Sequence, residues 1–206
     1  MGGVLRAVQV KIYLPDCIYR IAVCLLLCYR RLRYGYPFRR IPLTQGKYAI
    51  VDPEDYDKLA RHKWFAMRSR RGLYAIRMAK AKNGRRKKIR MHRQIMGEPK
   101  GKIIDHINHN GLDNRKANLR IVTNMQNSWN KRKQRGSYSS KYKGVSWAKR
   151  LGKWHAEIYC RGKKIFIGYF DDEKTAARAY DAKAGELYGE YALLNFPNHE
   201  KAEGRR

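Results

Sequence analysis

The chain is 206 residues long and carries 47 lysines and arginines against 17 acidic residues, a formal charge of +30, with a pI of 10.3. Such a length suits a few small domains rather than one large core, and the charge excess repels itself unless a polyanion neutralises it, which points to nucleic acid. Charge alone leaves a ribosomal protein or a membrane-surface binder open, whereas Cys17, Cys24, Cys28 and Cys160, with no C-x-x-C spacing, argue against a disulfide framework or a structural zinc site.

Residues 1–40 read as a poorly ordered basic and apolar extension. The apolar run from Ile21 to Tyr29 is far shorter than the roughly 20 residues of a membrane span. Arg20 precedes it and Arg30 and Arg31 follow, so it mimics a signal-peptide core, but no small-residue cleavage site comes after it. Asp16 is the only acidic residue of the segment, a feature shared with organelle transit peptides. The expectation is an extension with at most a short helix and no part in function.

Residues 41–91 form a small α+β segment. Ile41 to Thr44 and Lys47 to Val51 read as short strands around Gly46. Asp52-Pro53-Glu54-Asp55 supplies an N-cap, a proline at the first helical position and acids in the first turn of a helix to about His62. Trp64 to Met67 and Leu73 to Ile76 flank Arg71-Gly72 as a hairpin, and Asn83-Gly84 turns into a third strand from Lys87 to Met91. The surrounding cations (Arg68, Arg70, Arg71, Arg85, Arg86, Lys87, Lys88) are suited to phosphate contacts, although each alone is equally well read as a solvated basic face.

Residues 92–132 hold the chemistry. Asp105-His106 ends the apolar run Ile103-Ile104, a polar loop follows through Asn114, and Leu119 to Val122 reads as a second strand. Thr123 then caps a helix that carries Asn127. Strand, loop, strand and helix fold Asp105, His106 and Asn127 back towards one another. A carboxylate and an amide oxygen are hard ligands suited to Mg²⁺ and leave most of its octahedron for substrate. The neighbouring imidazole ordinarily titrates near neutrality and is suited to take a proton from water. Metal and base together meet the needs of phosphodiester hydrolysis. Asn118, across the loop, is expected to pin it through backbone hydrogen bonds.

The spacing D-H-x11-N-x8-N, with the words NGLDN and NLR inside it, resembles the HNH endonucleases of the ββα-metal class, and most of all their homing-type branch in phages and mobile introns. The resemblance implies His106 as general base, Asp105 and Asn127 as ligands of Mg²⁺ or Mn²⁺, and Asn118 as the loop-stabilising member of the catalytic set. His92, in Met91-His92-Arg93, matches a His-Arg dipeptide that precedes this core in such proteins and joins that set. VDPEDY and the following Trp64 and Tyr74-Ala75 are similar to the segment that precedes it. The class further implies products with a 3′-hydroxyl and a 5′-phosphate.

Residues 133–141 read as a basic linker that packs no core and tracks the DNA backbone. In residues 142–197, Lys143 to Trp147 reads as a strand, and Lys153 to Cys160 alternates cleanly, with Trp154, Ala156, Ile158 and Cys160 on one face. A turn at Arg161-Gly162-Lys163 leads to a third strand ending at Phe170. Asp172 caps a helix whose stripe of Ala176, Ala177, Tyr180, Ala184 and Leu187 lies against the sheet. The words YKGV, GKWHAEI, IGYFD, EKTAARAYDAKA and ALLNFP resemble the Apetala/ethylene-response-factor DNA-binding domain. Carried over by position, that resemblance implies Lys143, Ser146, Trp147, Glu157, Tyr159, Lys164 and Phe166 as DNA-facing residues, apt for the major groove. Lys149 and Arg150 join them by charge and loop location. This chain has one extra residue between Val145 and Gly152, and it lacks arginines at Ser146, Ala148 and Tyr159, so the plant target sequence does not transfer. Residues 198–206 are a frayed tail.

The expected fold class is α+β: a small ββα-metal core, a small α+β segment before it, and a three-stranded antiparallel sheet on one helix after it. The expected function is site-selective hydrolysis of double-stranded DNA by a nicking monomer, with no small-molecule substrate and no membrane partner. The setting is the cytoplasm or nucleoid of a bacterial or phage-infected cell, or an organelle if residues 1–40 act as a transit segment. The rival reading is a non-catalytic, sequence-specific transcription regulator; an RNA-binding protein would explain the charge but neither motif.

Overall fold

A computed structural model of the protein describes residues 15–69, 72–80, 84–133 and 136–197. Arg70, Arg71, Asn83 and the tail lie outside the described residues, so the expectations placed on them do too. The mixed class holds, with helices beside several small sheets. The chain divides into two compact units, one from Met1–Glu98 with Asn108–Leu119, the other from Pro99–Ile107 with Arg120–Arg206.

The first unit opens with α1 (Asp16–Tyr34), a helix of 19 residues. This corrects the expectation of at most a short helix. Pro15 precedes it, Asp16 sits in its first turn, and Gly35 stops it in the left-handed conformation at φ 79°. Arg30 donates to the Phe38 carbonyl at 2.5 Å, anchoring its last turns. No helix among the described residues is long and apolar enough to cross a membrane. The hairpin β1 (Arg39–Pro42) and β2 (Tyr48–Val51) leads to α2 (Pro53–Ala60) and to the antiparallel sheet of β3 (Phe65–Ser69), β4 (Gly72–Lys80) and β5 (Arg86–Arg90). The short α3 (Met91–Ile95) follows. Ile41, Val51, Leu59, Trp64, Ala75 and Met91 form the core of this unit. Each large side chain so buried contributes about 1.5–3 kcal/mol, and the Trp64 indole N–H is satisfied by the Leu59 carbonyl at 2.8 Å.

In the second unit β6 (Ile103–His106) and β7 (Leu119–Val122) pair as a two-stranded sheet, and α4 (Asn124–Trp129) packs against β6. Thr123 caps α4, as its sequence predicts, and the structure adds a reciprocal box with Gln126. The antiparallel sheet of β8 (Val145–Ala148), β9 (Lys153–Cys160) and β10 (Lys163–Phe170) carries α5 (Glu173–Tyr188) on one face, followed by a 3₁₀ turn at Gly189–Tyr191. Alanines 176, 177 and 184 are fully buried, which lets the helix lie close. Gly144 makes the closest approach. It sits at φ +75°, and a Cβ there would overlap the Tyr180 ring and meet the Glu157 carbonyl.

The linker expectation needs correction. Lys133 donates its ammonium to the carbonyls of Ser140, Tyr142 and Val145 at 2.9, 2.7 and 3.3 Å. Ser140 is buried and donates to Glu173, while Ser139 accepts from the Trp147 backbone. These residues are held by α5 and β8 because each cation and hydroxyl finds a backbone or carboxylate partner. They are part of the folded unit.

Candidate active site

Asp105 and His106 end β6, and His106 is buried. Asn127 projects from α4 and is half-buried; its backbone N–H donates to Thr123 at 3.0 Å. These three side chains thus come from one strand and the helix packed against it, both in the second unit. Oδ2 of Asp105 accepts from Arg120 Nε at 3.2 Å, Arg120 Nη2 at 3.1 Å and Asn130 Nδ2 at 2.7 Å. Oδ1 of Asp105 and the Asn127 carboxamide have no hydrogen-bond partner among the described residues. One carboxylate oxygen and one amide oxygen, hard donors without competing protons, form a set that fits a divalent cation. No cluster of three or more His, Cys, Asp or Glu able to hold a metal occurs among the described residues.

Asn118 belongs to the first unit, and so does the loop it controls. Its Oδ1 accepts from the Asn108 N–H at 3.0 Å, and its Nδ2 donates to the Asp113 carbonyl at 2.8 Å. Asp113 is the buried centre of that loop, holding Arg115 bidentately at 2.8 and 2.7 Å and accepting from Asn108 at 2.9 Å. Burial alone would raise the Asp113 carboxyl, but the Arg115 guanidinium and the Asn108 amide outweigh it, and its pKa is lowered. The loop is also clipped to β2: Ile50 donates to Leu112, and Asn114 donates to Ile50, at 2.8 and 2.7 Å. Gly111 is required where the loop crosses β4, since a Cβ there would run into the Leu73 carbonyl and the Tyr74 ring. His92, also in the first unit, is buried edge-on to Tyr74 with ring centroids 5.9 Å apart. Asp52 makes no side-chain cap on α2; its carboxylate accepts from the Lys116 N–H at 2.7 Å instead.

The sequence-predicted DNA-facing residues separate into two groups. Ser146, Glu157, Tyr159, Lys164 and Phe166 lie on the sheet face opposite α5, where Lys164 pairs with Glu157 at 3.2 Å. Lys149 and Arg150 are exposed in the turn after β8. Two others are placed differently. Trp147 pairs with Trp154, on the helix side of the sheet, and meets it edge-on at 4.9 Å. Lys143 donates its ammonium to the Trp129 carbonyl at 2.5 Å, and desolvation lowers its pKa to about 8. Its backbone is clasped by Asn195, which is in turn held by Asp181. Sequence reasoning missed His155 and Tyr169, whose rings cluster with Phe166 on the outer face at 5.4, 5.5 and 5.0 Å. The signal was Gly168. A register shift between Phe166 and Gly168 puts one extra residue into β10, so that Tyr169, not Gly168, faces outward.

Arg120 and Asn130 were missed as well, since only the folded chain brings them to Asp105. A cleft of about 330 Å³ between α4 and the sheet is lined by Ser128, Trp129, Lys143, Glu157, Tyr159 and Lys164.

Residues 89–129 match the model of an HNH endonuclease family. An uncharacterized HNH endonuclease of Acanthamoeba polyphaga mimivirus is 31% identical over 157 residues, covering 73% of this chain and 76% of that protein. Protein 3.8 of Escherichia phage T7 is 35% identical over 94 residues, 46% of this chain and 76% of its own length. The C-terminal region is similar to plant proteins: an AP2-like ethylene-responsive transcription factor of Arabidopsis thaliana is 43% identical over 68 residues, 32% of this chain but 14% of the plant protein. No solved structure matches. With the family motif lying across β6, β7 and α4, and the viral likeness extending over nearly three quarters of the sequence, the chain belongs to the HNH endonuclease family.

Proposed function

We propose that this protein is a site-selective endonuclease of duplex DNA that nicks one strand as a monomer. Asp105 and Asn127 hold a single Mg²⁺ or Mn²⁺, and His106 is the general base. The observation that carries this reading is the packing of α4 on β6, with the Asp105 carboxylate and the His106 imidazole on the strand and the Asn127 carboxamide on the helix. A divalent cation held by Asp105 and Asn127 would supply charge neutralisation at the phosphate and the leaving oxygen. His106 takes the proton of the attacking water, Asn118 holds the loop from Asn108 to Asp113 in shape, and His92 is the remaining candidate of the catalytic set.

The nuclease core is residues 92–132 and the DNA-reading module residues 142–197, with Lys133, Ser139 and Ser140 docked on the latter. Ser146, Glu157, Tyr159, Lys164 and Phe166 face the major groove, Lys149 and Arg150 reach phosphates, Lys143 supports that surface from its bond to the Trp129 carbonyl, and Trp147, exposed beside Trp154, is a further DNA-facing candidate. The likeness to mimivirus and phage proteins favours action inside an infected cell.

Supercoiled plasmid incubated with the protein and Mg²⁺ is expected to relax to open circles. In His106→Ala nicking should fall by roughly a hundredfold or more, with gel-shift affinity retained. Nicking by His106→Ala at the wild-type rate would remove the general base. Tight binding without nicking by the wild type in either metal would favour the transcription regulator.

A further inference from the structure

We propose that Arg120 and Asn130 are positioning residues that lock the Asp105 carboxylate with Oδ2 occupied and Oδ1 turned to the cation, and that the 3₁₀ turn after α5 holds Arg120 in place. The proposal rests on the metal role of Asp105 given above.

Three donated hydrogen bonds converge on the one oxygen, Oδ2, two from Arg120 and one from the buried Asn130. Both partners of the ion pair are largely excluded from water, at 13% and 12% exposure. A carboxylate has two interchangeable oxygens, and only a fixed set of donors on one of them makes the other the ligand at every moment. Lysine, a point charge without a fork, cannot hold two partners in a fixed plane.

Arg120 is itself gripped from its far side. Its Nη1 donates to the Glu190 carbonyl at 2.9 Å, and its guanidinium lies 4.7 Å from the Tyr191 ring centroid. Trp129, one residue before Asn130, stacks on Tyr188 at 4.6 Å and 12°. The end of the C-terminal helix therefore sets both residues that aim Asp105, without touching the carboxylate itself.

The test is Mn²⁺ binding by the full-length protein without DNA, followed by electron paramagnetic resonance, with folding checked by thermal unfolding. Arg120→Lys and Asn130→Ala are each expected to weaken Mn²⁺ binding about tenfold. In nicking assays they should lower kcat with KM for DNA unchanged. Tyr191→Ala should weaken Mn²⁺ binding in the same direction, and Tyr191→Phe, which keeps the ring, should restore it. If Asp105→Ala abolishes Mn²⁺ binding while the Arg120 and Asn130 variants, folded, bind it as the wild type does, the positioning proposal falls alone. If Asp105→Ala also binds normally, the metal assignment and this proposal fall together.

Discussion

At the scale of single residues, two buried ionisable groups do opposite things to stability. Lys143 is charged at neutral pH in a place that disfavours charge, and its pKa drops from 10.5 to about 8. Between those values the unfolded chain binds the proton that the folded chain releases, so stability contributed at this site rises with pH across that window. Chemical denaturation of wild type and Lys143→Met should therefore diverge, with the wild type gaining up to roughly 3 kcal/mol on the variant from about pH 8 to 10.5. A constant difference would show that the ammonium is solvated. At Asp113 it is the charged form that the fold favours. Its depressed pKa adds stability that is present above the ordinary carboxylate range and lost as pH falls through the lowered value. Asp113→Asn is expected to flatten the acid limb of the stability curve. The placement of Asp105 and His106 on β6, of Asn118 across the loop and of Asn127 on α4 was legible in the sequence because local strand, loop and helix signals order them. The contacts of Arg120 and Asn130 were not, because only the pairing of β6 with β7 and the packing of α4 decide which side chains close on one carboxylate oxygen.

At the scale of elements, legibility followed burial. The whole of β9 could be read residue by residue, since one face meets α5 and the alternation is forced. The α5 cap was equally clear, with Asp172 accepting from the Thr175 N–H at 2.8 Å. The helix α1 was misread because its apolar run was weighed against membrane and signal segments. Its stop signal, Gly35, and its proline-led start were on view throughout. Close approaches leave their own mark. Gly144→Ala must displace the Tyr180 ring and hold alanine at positive φ, and is expected to cost about 2 kcal/mol or more in denaturant unfolding. An unchanged midpoint would mean that β8 does not cross α5 there.

At the scale of the molecule, a formal charge of +30 makes duplex affinity strongly salt-dependent. Between about 50 and about 200 mM salt it is expected to fall roughly a thousandfold, as for a protein neutralising about six phosphates. A shallow slope in filter binding would confine DNA contact to the C-terminal sheet. The second unit also limits how modular the protein is. Removing residues 133–206 takes Tyr188, Glu190 and Tyr191 away from Trp129 and Arg120. Nicking by such a truncated chain is expected to drop even at saturating plasmid. Full-rate nicking would make the C-terminal region a DNA-reading appendage alone.

The extra residue in β10 bears on any effort to redirect this protein to a new target. Outward positions on that strand run 164, 166, 169, so a combinatorial library written on every second codon would mutate Gly168 and Phe170 and scramble the interior. Pairing the strand at full length in strict alternation from Phe166, without the bulge, would turn Tyr169 inward and leave the Phe170 ring in water. The outer surface would then lose one ring of its aromatic triad.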